Sequence, residues 1–336
     1  MYTEFYGLKD EPFLLTPDQR FYFESQVHAQ AMAYLLYGVS RGEGFIVITG
    51  DVGAGKTTIL HRLCATIDAN HVVAAHVVTT LLSGTELLRM VCAGFKLRDI
   101  PRDKDAVLLR LKEYFEGLHV SGRRALLIVD EAQNLSAAAI EELRMLSNFQ
   151  VGNSSLCQTF LIGQPQFRET LAHPDLEQFR QRVIANYHLG PLGREECGRY
   201  LTHRLEQVGW NNDPFFESEA IEQLAIETRG VPRQINTFCN RLLLMGFLDN
   251  IHVFSAGDVL RVAADLREEN GLTVSTTPRE KRPDGEPSDG LNGKGPDLGS
   301  RVDLLERRLA VQERSQHKVV TVLAEIADIV RSDTTR

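Results

Sequence analysis

A glycine-rich stretch that follows an apolar run carries the residues with the clearest chemistry in this 336-residue chain. The apolar run is Phe45–Thr49; Gly50 comes next, and Gly55, Lys56 and Thr57 complete a G-x-x-x-x-G-K-T pattern. Glycines let the backbone N–H groups turn towards phosphate oxygens, the lysine reaches the β- and γ-phosphates, and the threonine hydroxyl ligates Mg²⁺. Since a strand pattern precedes it and a helix pattern follows, the stretch predicts a site for a nucleoside triphosphate.

Two adjacent acids end the strand candidate in ALLIVDEAQNL, Ala125–Leu135. Carboxylates at the C-terminal edge of a parallel strand lie where α/β sheets bind their ligands. We therefore expect Asp130 to join Thr57 in the Mg²⁺ shell and Glu131 to activate the attacking water. The predicted ATP contacts come from the glycine-rich loop, the start of its helix and the first acid: Gly50, Asp51, Val52, Gly53, Ala54, Gly55, Lys56, Thr57, Thr58 and Asp130.

Four further polar side chains are candidates for catalysis. Gln164 follows the strand candidate Thr159–Ile162, where it would sense the γ-phosphate or orient water, although it also suits a plain turn. Arg233 begins a helix in the GVPR stretch and is a candidate reader of the γ-phosphate, with a helix-start ion pair as the alternative. Arg180 and Arg182, in FRQRV, are candidates for an arginine finger given to a second copy, or solvated surface residues.

The order of the strand and helix patterns indicates the fold class. Strands alternate with helices up to about residue 191, and helices alone follow, which predicts an α/β P-loop fold with a parallel sheet, helices on both faces and a small all-α lid. The helix candidate Gln26–Val39 is either a wall of the adenine pocket or core packing. The lid helices are expected at Arg194–Val208, Ser218–Thr228, Pro232–Asp249 and Ala256–Leu266.

Composition along the chain gives the domain boundaries. Residues 1–191 are predicted to form the ATPase core with an aromatic-rich lead-in, and residues 192–268 the helical lid. Residues 269–300 are rich in glycine, proline, serine and acids, which predicts a disordered linker. Residues 301–331 carry apolar side chains at heptad spacing, which predicts a coiled coil or a lone amphipathic helix.

Charge, cysteine content and hydropathy limit the class of protein. A formal net charge of −8 argues against a nucleic-acid coat. Five scattered cysteines without a C-x-x-C pair favour reduced thiols. The sequence shows neither an apolar run near the roughly 18 residues that span a bilayer nor a signal-peptide layout at its start. We therefore expect a soluble, cytoplasmic protein.

Several phrases of the sequence resemble a known family. GDVGAGKTT, LLIVDEAQNL, GQP, FRQRV and GVPR together resemble AAA+ ATPases. MYTEFYGL, PF, TPD and EGFIVITG bring the resemblance to the general secretion pathway protein A (ExeA-like) group. EELRMLSNFQ and QRVIANYHLGPL are similar to the ATPases encoded beside exosortase and exopolysaccharide genes, the PEP-CTERM-system branch. The resemblance covers about residues 1–268.

The resemblance implies family roles at the matching positions. They are Walker A for Lys56 and Thr57, Walker B for Asp130 and Glu131, sensor one for Gln164, sensor two for Arg233, and the arginine finger for Arg182, with Arg180 as second choice. One position departs from the family pattern, because sensor one is more often Asn, Ser or Thr.

The resemblance also implies a function and partners. It implies an oligomeric, Mg²⁺-dependent ATPase that supports bacterial envelope export of exopolysaccharide or PEP-CTERM proteins. The implied location is the cytoplasm or the periphery of the inner membrane of a Gram-negative bacterium. The expected partners are ATP, Mg²⁺, further copies of the chain, and envelope or polysaccharide-export proteins bound by the C-terminal helix. Nucleic acid is not an expected partner, and membrane contact is expected to be peripheral only.

Three alternative functions stay open at the level of sequence. A DNA-associated AAA+ regulator resembling transposition target-selection ATPases is disfavoured by the acidic charge and by the lack of an evident DNA-reading module. A small-molecule kinase is disfavoured by Glu131, which suits activation of water, and by the lid with its GVPR stretch. A nucleotide-switched adaptor with vestigial hydrolysis is disfavoured because Glu131 and Arg233 are both present.

Overall fold

The computed structural model describes residues 1–16, 18–78 and 83–271. The predicted heptad segment 301–331 and residues 272–300 of the predicted linker lie outside the described residues. No helix in the described ranges is both long and apolar enough to span a bilayer. The elements of these ranges are α1 Tyr2–Phe5, α2 Gln26–Arg41, β1 Phe45–Gly50, α3 Lys56–Thr66, β2 Val72–Val78, α4 Gly84–Gly94, α5 Lys104–Val120, β3 Arg124–Asp130, α6 Ala137–Leu146, β4 Gln150–Val151, β5 Ser154–Ser155, β6 Cys157–Gly163, α7 Gln166–Ala172, α8 Glu177–Arg180, β7 Val183–Leu189, α9 Arg194–Glu206, β8 Phe215–Phe216, α10 Ser218–Glu227, α11 Pro232–Asp249, β9 Val253–Phe254 and α12 Ala256–Gly271.

Five parallel strands form the central sheet in the order β2-β3-β6-β1-β7. Side chains of β1 alternate between two apolar cores: Phe45 and Val47 pack with α4–α6, and Ile46 and Ile48 pack with α2 and α3. Because both faces are covered, the inner strands are continuous apolar runs. The predicted α/β P-loop fold with helices on both faces is confirmed.

Polar residues just before α4 and α5 cap these helices of the core. Ser83 and Glu86 form a capping box on α4, in which Glu86 N donates to Ser83 Oγ and Ser83 N donates to Glu86 Oε2. Asp103 caps α5 by accepting from Ala106 N at 3.1 Å. Each cap satisfies backbone N–H groups that have no partner within the helix.

The lid differs from its sequence-based description in two details. It contains a two-residue parallel pairing of β8 with β9, where Phe215 lies opposite Val253, in a region predicted to be helical throughout. A pairing this short leaves no alternation that a sequence pattern could reveal. In addition, α12 runs to Gly271, past the predicted helix end at Leu266.

The lead-in, residues 1–24, packs on the lid, although the sequence grouped it with the ATPase core. Its buried apolar side chains share one hydrophobic cluster with α9–α12. Tyr2 Oη donates to Asn240 Oδ1 at 2.7 Å, and Tyr6 Oη donates to the Ile251 carbonyl at 2.8 Å. The sequence could not show this, because both partners lie more than two hundred residues further along the chain.

The five cysteines all lie in the described part of the chain, as free thiols. Four of them are buried, and Cys64 on α3 is exposed. Burial raises the pKa of the four buried thiols well above its ordinary value, so these side chains are apolar core residues at neutral pH.

Candidate functional site

The loop between β1 and α3 has the backbone of an anion-binding nest. Gly53 and Gly55 have φ angles of +84° and +97°, which side chains rarely tolerate. A Cβ atom on Gly53 would lie 2.3 Å from Arg233 Cβ, and one on Gly55 would lie 2.5 Å from His28 Nε2. Both glycines are therefore required by conformation and by close neighbours. The loop leads into the N-terminus of α3, whose partial positive charge favours phosphate.

Lys56 lies over this loop. Its Nζ donates to the carbonyls of Gly50 at 2.7 Å and Asp51 at 2.8 Å. Burial lowers the pKa of Lys56, while the carboxylates of Glu131, Asp130 and Asp51 oppose that shift. The ammonium is thus held beside the loop and within reach of the acids, where it can neutralise phosphate charge.

The two acids occupy the turn at the end of β3. Asp130 is buried; its Oδ1 accepts from Glu131 N at 2.8 Å, and its Oδ2 lies 3.7 Å from His76 Nε2. Glu131 has φ +55°, in the left-handed region that non-glycine residues seldom occupy. Strained residues of this kind cluster at functional sites. Glu131 lines the same cleft as Thr57.

Two glutamines hold the Glu131 carboxylate. Gln164 Nε2 donates to Glu131 Oε2 at 3.3 Å, and Gln133 Nε2 donates to the same oxygen. Gln133 Oε1 also accepts from Gln164 N at 2.9 Å, so one side chain joins the end of β3 to the end of β6. A Cβ atom on Gly163 would lie 3.1 Å from Gln133 Oε1, so glycine there permits the close approach. Gln133 was not predicted from the sequence, where its only signal was its position two residues after Glu131.

We expect Gln133→Ala to lower the turnover number for ATP by about 10- to 100-fold, because Glu131, the predicted general base, loses a partner that orients its carboxylate. The dissociation constant for ATP should stay within about twofold of wild type, since Gln133 is outside the phosphate loop. Steady-state turnover and equilibrium titration measure the two quantities separately. Gln166→Ala, at an exposed position at the start of α7, is the control, and unchanged turnover in Gln133→Ala would show that the bridge is dispensable.

The remaining walls of the cleft come from the lead-in and the lid. For α2, the sequence allowed either a wall of the adenine pocket or core packing. Of its residues, only His28 lines the cleft, and it is buried against the phosphate loop. The Tyr22 hydroxyl is buried and has no hydrogen-bond partner within the described ranges. Further lining residues of the lead-in and lid were not predicted as site residues from the sequence; they are Leu14, Leu15, Thr16, Asp18, Phe21, Tyr22, Phe23, Leu192, Tyr200, Arg204, Pro232 and Asn236.

The three candidate arginines lie in different places. Arg233 is the second residue of α11; its backbone N donates to the Gly53 carbonyl at 3.2 Å, and the residue lines the cleft. Arg180 Nη1 donates to two carbonyls at the end of α7, and Arg182 Nη1 donates to Ser147 Oγ at 2.9 Å. Neither Arg180 nor Arg182 lines the cleft.

The sheet register places Arg182 at the edge opposite to the cleft. Its carbonyl accepts from Phe45 N, at the start of β1, whereas the phosphate loop follows Gly50 at the end of that strand. At about 3.3 Å per residue, these edges are about 17 Å apart. Arg182 is therefore too far from the phosphate loop of its own chain to touch a phosphate bound there.

Asp130, at the end of β3, and Thr57, at the start of α3, fit a magnesium ion that is bound together with a nucleotide. Mg²⁺ is usually bound by one or two carboxylates, phosphate oxygens and waters, without a protein cage. Asp130 and Thr57 provide one carboxylate and one hydroxyl, and no group of three or more metal-ligating His, Cys, Asp or Glu side chains occurs in the part of the chain described. When bound, the ion would supply charge neutralisation to the phosphates.

Comparisons with known proteins agree with this geometry. Residues 39–171 match the model of a family described as AAA domain. General secretion pathway protein A from Aeromonas hydrophila is 35% identical over 270 residues, which cover 79% of this chain and 48% of that protein. The chain thus spans about half the length of the curated relative it matches. The match to the AAA-domain model and the geometry of the site together support ATPase activity.

Solved structures share the fold at low sequence identity. The ADP form of the ORC2 protein from Aeropyrum pernix superposes with a TM-score of 0.56 at 18% identity, covering 76% of this chain and 73% of that one. Cdc6p from Pyrobaculum aerophilum superposes with a TM-score of 0.57 at 15% identity, covering 74% and 71%.

Proposed function

We infer that this chain, which carries an AAA domain and is related to general secretion pathway protein A, is a Mg²⁺-dependent ATPase that works as an oligomer. One observation carries this inference: the phosphate loop, Glu131, Gln164 and Arg233 border a single cleft. Each was expected from its own stretch of sequence, and the fold joins them at one edge of the sheet.

The arrangement of these residues suggests a role for each of them in hydrolysis. The loop N–H groups and Lys56 bind the β- and γ-phosphates, while Thr57 and Asp130 would hold Mg²⁺. Glu131, aimed by its glutamine partners, accepts a proton from the attacking water. Arg233, which lies on the lid, contacts the γ-phosphate and so reports whether it is present.

Substitution of the loop lysine tests nucleotide binding. We expect Lys56→Met to weaken Mg²⁺–ATP binding on the order of 100-fold, because a charge-assisted contact to phosphate is lost inside a partly buried site. Calorimetric titration of the full chain measures this. Lys112→Met, on the exposed side of α5, removes the same charge away from the cleft and should bind as wild type. A wild-type chain that takes up no ATP with Mg²⁺ would end the proposal.

We propose that the ATPase serves export through a bacterial envelope, as its curated relative's name suggests for that protein. The narrower proposal is exopolysaccharide or PEP-CTERM protein secretion, supported by the sequence phrases it shares with that branch. The protein would act in the cytoplasm or at the periphery of the inner membrane, with residues 301–331 as the partner-binding segment. Affinity capture from the native host with Glu131→Gln, which should hold ATP, tests this; recovery of export components supports it, and their absence contradicts it.

ATP consumption without an added acceptor separates the proposal from a small-molecule kinase, and measurable turnover separates it from an inactive adaptor. A DNA-associated regulator would be retained on DNA, with an affinity that falls steeply as salt rises. The net charge of −8 opposes that alternative.

A further inference from the structure

Arg204 of α9 connects the lid to the lead-in through a buried cation. Its Nε donates to the Pro12 carbonyl at 2.6 Å, and its Nη2 donates to the Leu14 carbonyl at 3.0 Å. The guanidinium lies 4.2 Å from the centroid of the Phe21 ring, and the residue is only 6% exposed. No carboxylate lies within ion-pair distance of Arg204 in the described ranges. Main-chain carbonyls, an aromatic face and the longer-range attraction of the Asp18 carboxylate therefore compensate this charge.

The carbonyls that Arg204 binds lie beside the wall of the cleft. Leu14, Leu15 and Tyr22 line the same cleft as the phosphate loop. A second lid residue, Asn236 of α11, donates from Nδ2 to the Leu14 carbonyl at 3.3 Å. Two lid helices thus fix the main chain of this wall, which has no hydrogen-bonded strand of its own to hold it.

The chemistry of the wall suits a nucleotide base. It combines apolar and aromatic side chains with the buried, unpartnered hydroxyl of Tyr22. Apolar walls with a few placed polar groups are typical of sites for flat organic ligands. The glycine loop and Lys56, which suit phosphates, line the same cleft. The wall and the loop therefore suit the two parts of one nucleotide.

We propose that Arg204 is a positioning residue for the nucleotide base: it fixes the lead-in wall to the lid, so that the lid binds the base while the core binds the phosphates. This rests on the proposed ATPase function. Because Arg233 is also part of the lid, the lid would hold the wall for the base and also contact the γ-phosphate. A nucleotide then contacts the lead-in wall through its base and the core through its phosphates, and pyrophosphate lacks the first of these contacts.

The test compares ADP with pyrophosphate, both with Mg²⁺, since neither is hydrolysed by this site. Arg204→Met should weaken ADP binding about tenfold, because two charge-assisted hydrogen bonds that hold the wall are lost. Pyrophosphate binding should stay within about twofold, because its contacts are on the core. Arg204→Lys keeps the charge and one hydrogen bond, so its ADP affinity should be intermediate.

Two controls separate positioning from general loss of stability. Leu224→Ala removes a buried side chain from α10, which contributes no residue to the cleft lining, and Arg241→Met removes a positive charge from the exposed side of α11. Both should leave the ratio of ADP to pyrophosphate affinity unchanged. If Arg204→Met does not fold, Asn236→Ala, which removes the other contact to Leu14, should change the same ratio.

The outcomes are distinguishable. A wild-type chain that binds neither ADP nor ATP refutes the proposed function itself. A wild-type chain that binds ADP, with an Arg204 variant whose affinity ratio is unchanged or matched by the controls, refutes only the positioning role. A selective loss of ADP affinity supports it.

Discussion

Replacing Glu131 with glutamine is expected to lower ATP turnover by about 10²–10⁴-fold, the usual contribution of a general base. The dissociation constant for ATP should change little, because the new amide has the shape of the carboxylate. Its oxygen can still accept from Gln164 Nε2 and Gln133 Nε2, which hold Glu131 Oε2 in the wild type. The substitution thus removes the base and keeps the network. Phosphate release under saturating ATP measures the loss.

Glu141→Gln is the matched control for this substitution. Glu141 is an exposed acid of α6 that pairs with Arg144 at 2.6 Å and does not line the cleft. Its turnover should equal that of wild type. Equal turnover of Glu131→Gln and wild type would remove Glu131 from the mechanism and leave Asp130 as the acid to examine next.

Replacing Arg182 with alanine is expected to lower turnover by about 10³–10⁵-fold, the range for an arginine finger. The Kd for ATP at the same subunit's cleft should be nearly unchanged, because Arg182 lies about 17 Å from its own phosphate loop, at the far edge of the sheet. Only a second copy can present this guanidinium to the γ-phosphate. Turnover and ATP titration of the purified variant check both parts.

Mixing two inactive variants tests the contact between copies directly. Glu131→Gln keeps its finger and Arg182→Ala keeps its base, so a mixture should regain turnover at interfaces where the two meet. A double variant mixed with Arg182→Ala contains no finger and should stay inactive. If the first mixture also stays inactive, the finger is not Arg182.

Arg180→Ala separates the two candidate arginines. The Arg180 guanidinium already donates to the carbonyls of Leu171 and His173 at the end of α7. Its removal leaves those carbonyls without a charged donor, so the melting temperature should fall while turnover per folded subunit persists. Turnover lost without a change in melting temperature, and restored by mixing, would assign the finger to Arg180 instead.

The sequence predicted those parts of the site whose chemistry fixes local spacing. The loop from Gly50 to Thr57 needs glycines, a lysine and a hydroxyl in a set order, and Asp130 and Glu131 needed only a strand that ends before them. Gln164 was predicted in the same way, because it follows the end of a strand. These residues come together because they follow the ends of neighbouring parallel strands. The alternation of strand and helix patterns in the sequence predicted that sheet.

The parts that escaped prediction depend on contacts distant in sequence or on backbone detail. Arg204 lies 192 residues from the Pro12 carbonyl that it binds, and nothing in either stretch suggests the other. Gln133 reaches Glu131 and the end of β6 because the backbone at Glu131 turns with a φ angle of +55°. No pattern of residue types predicts this backbone conformation. The resemblance ranked Arg182 before Arg180 as the arginine finger, and the structure adds the different partners of the two guanidinium groups.

The burial of four of the five thiols has a practical consequence. Cys64, the exposed one, lies on α3 seven residues after Thr57, about 10 Å further along the helix axis. Partial burial raises the pKa of its thiol, so a maleimide dye would attach best in mildly alkaline buffer. A fluorophore on Cys64 would then follow loading of the phosphate loop in real time, without first removing any native cysteine.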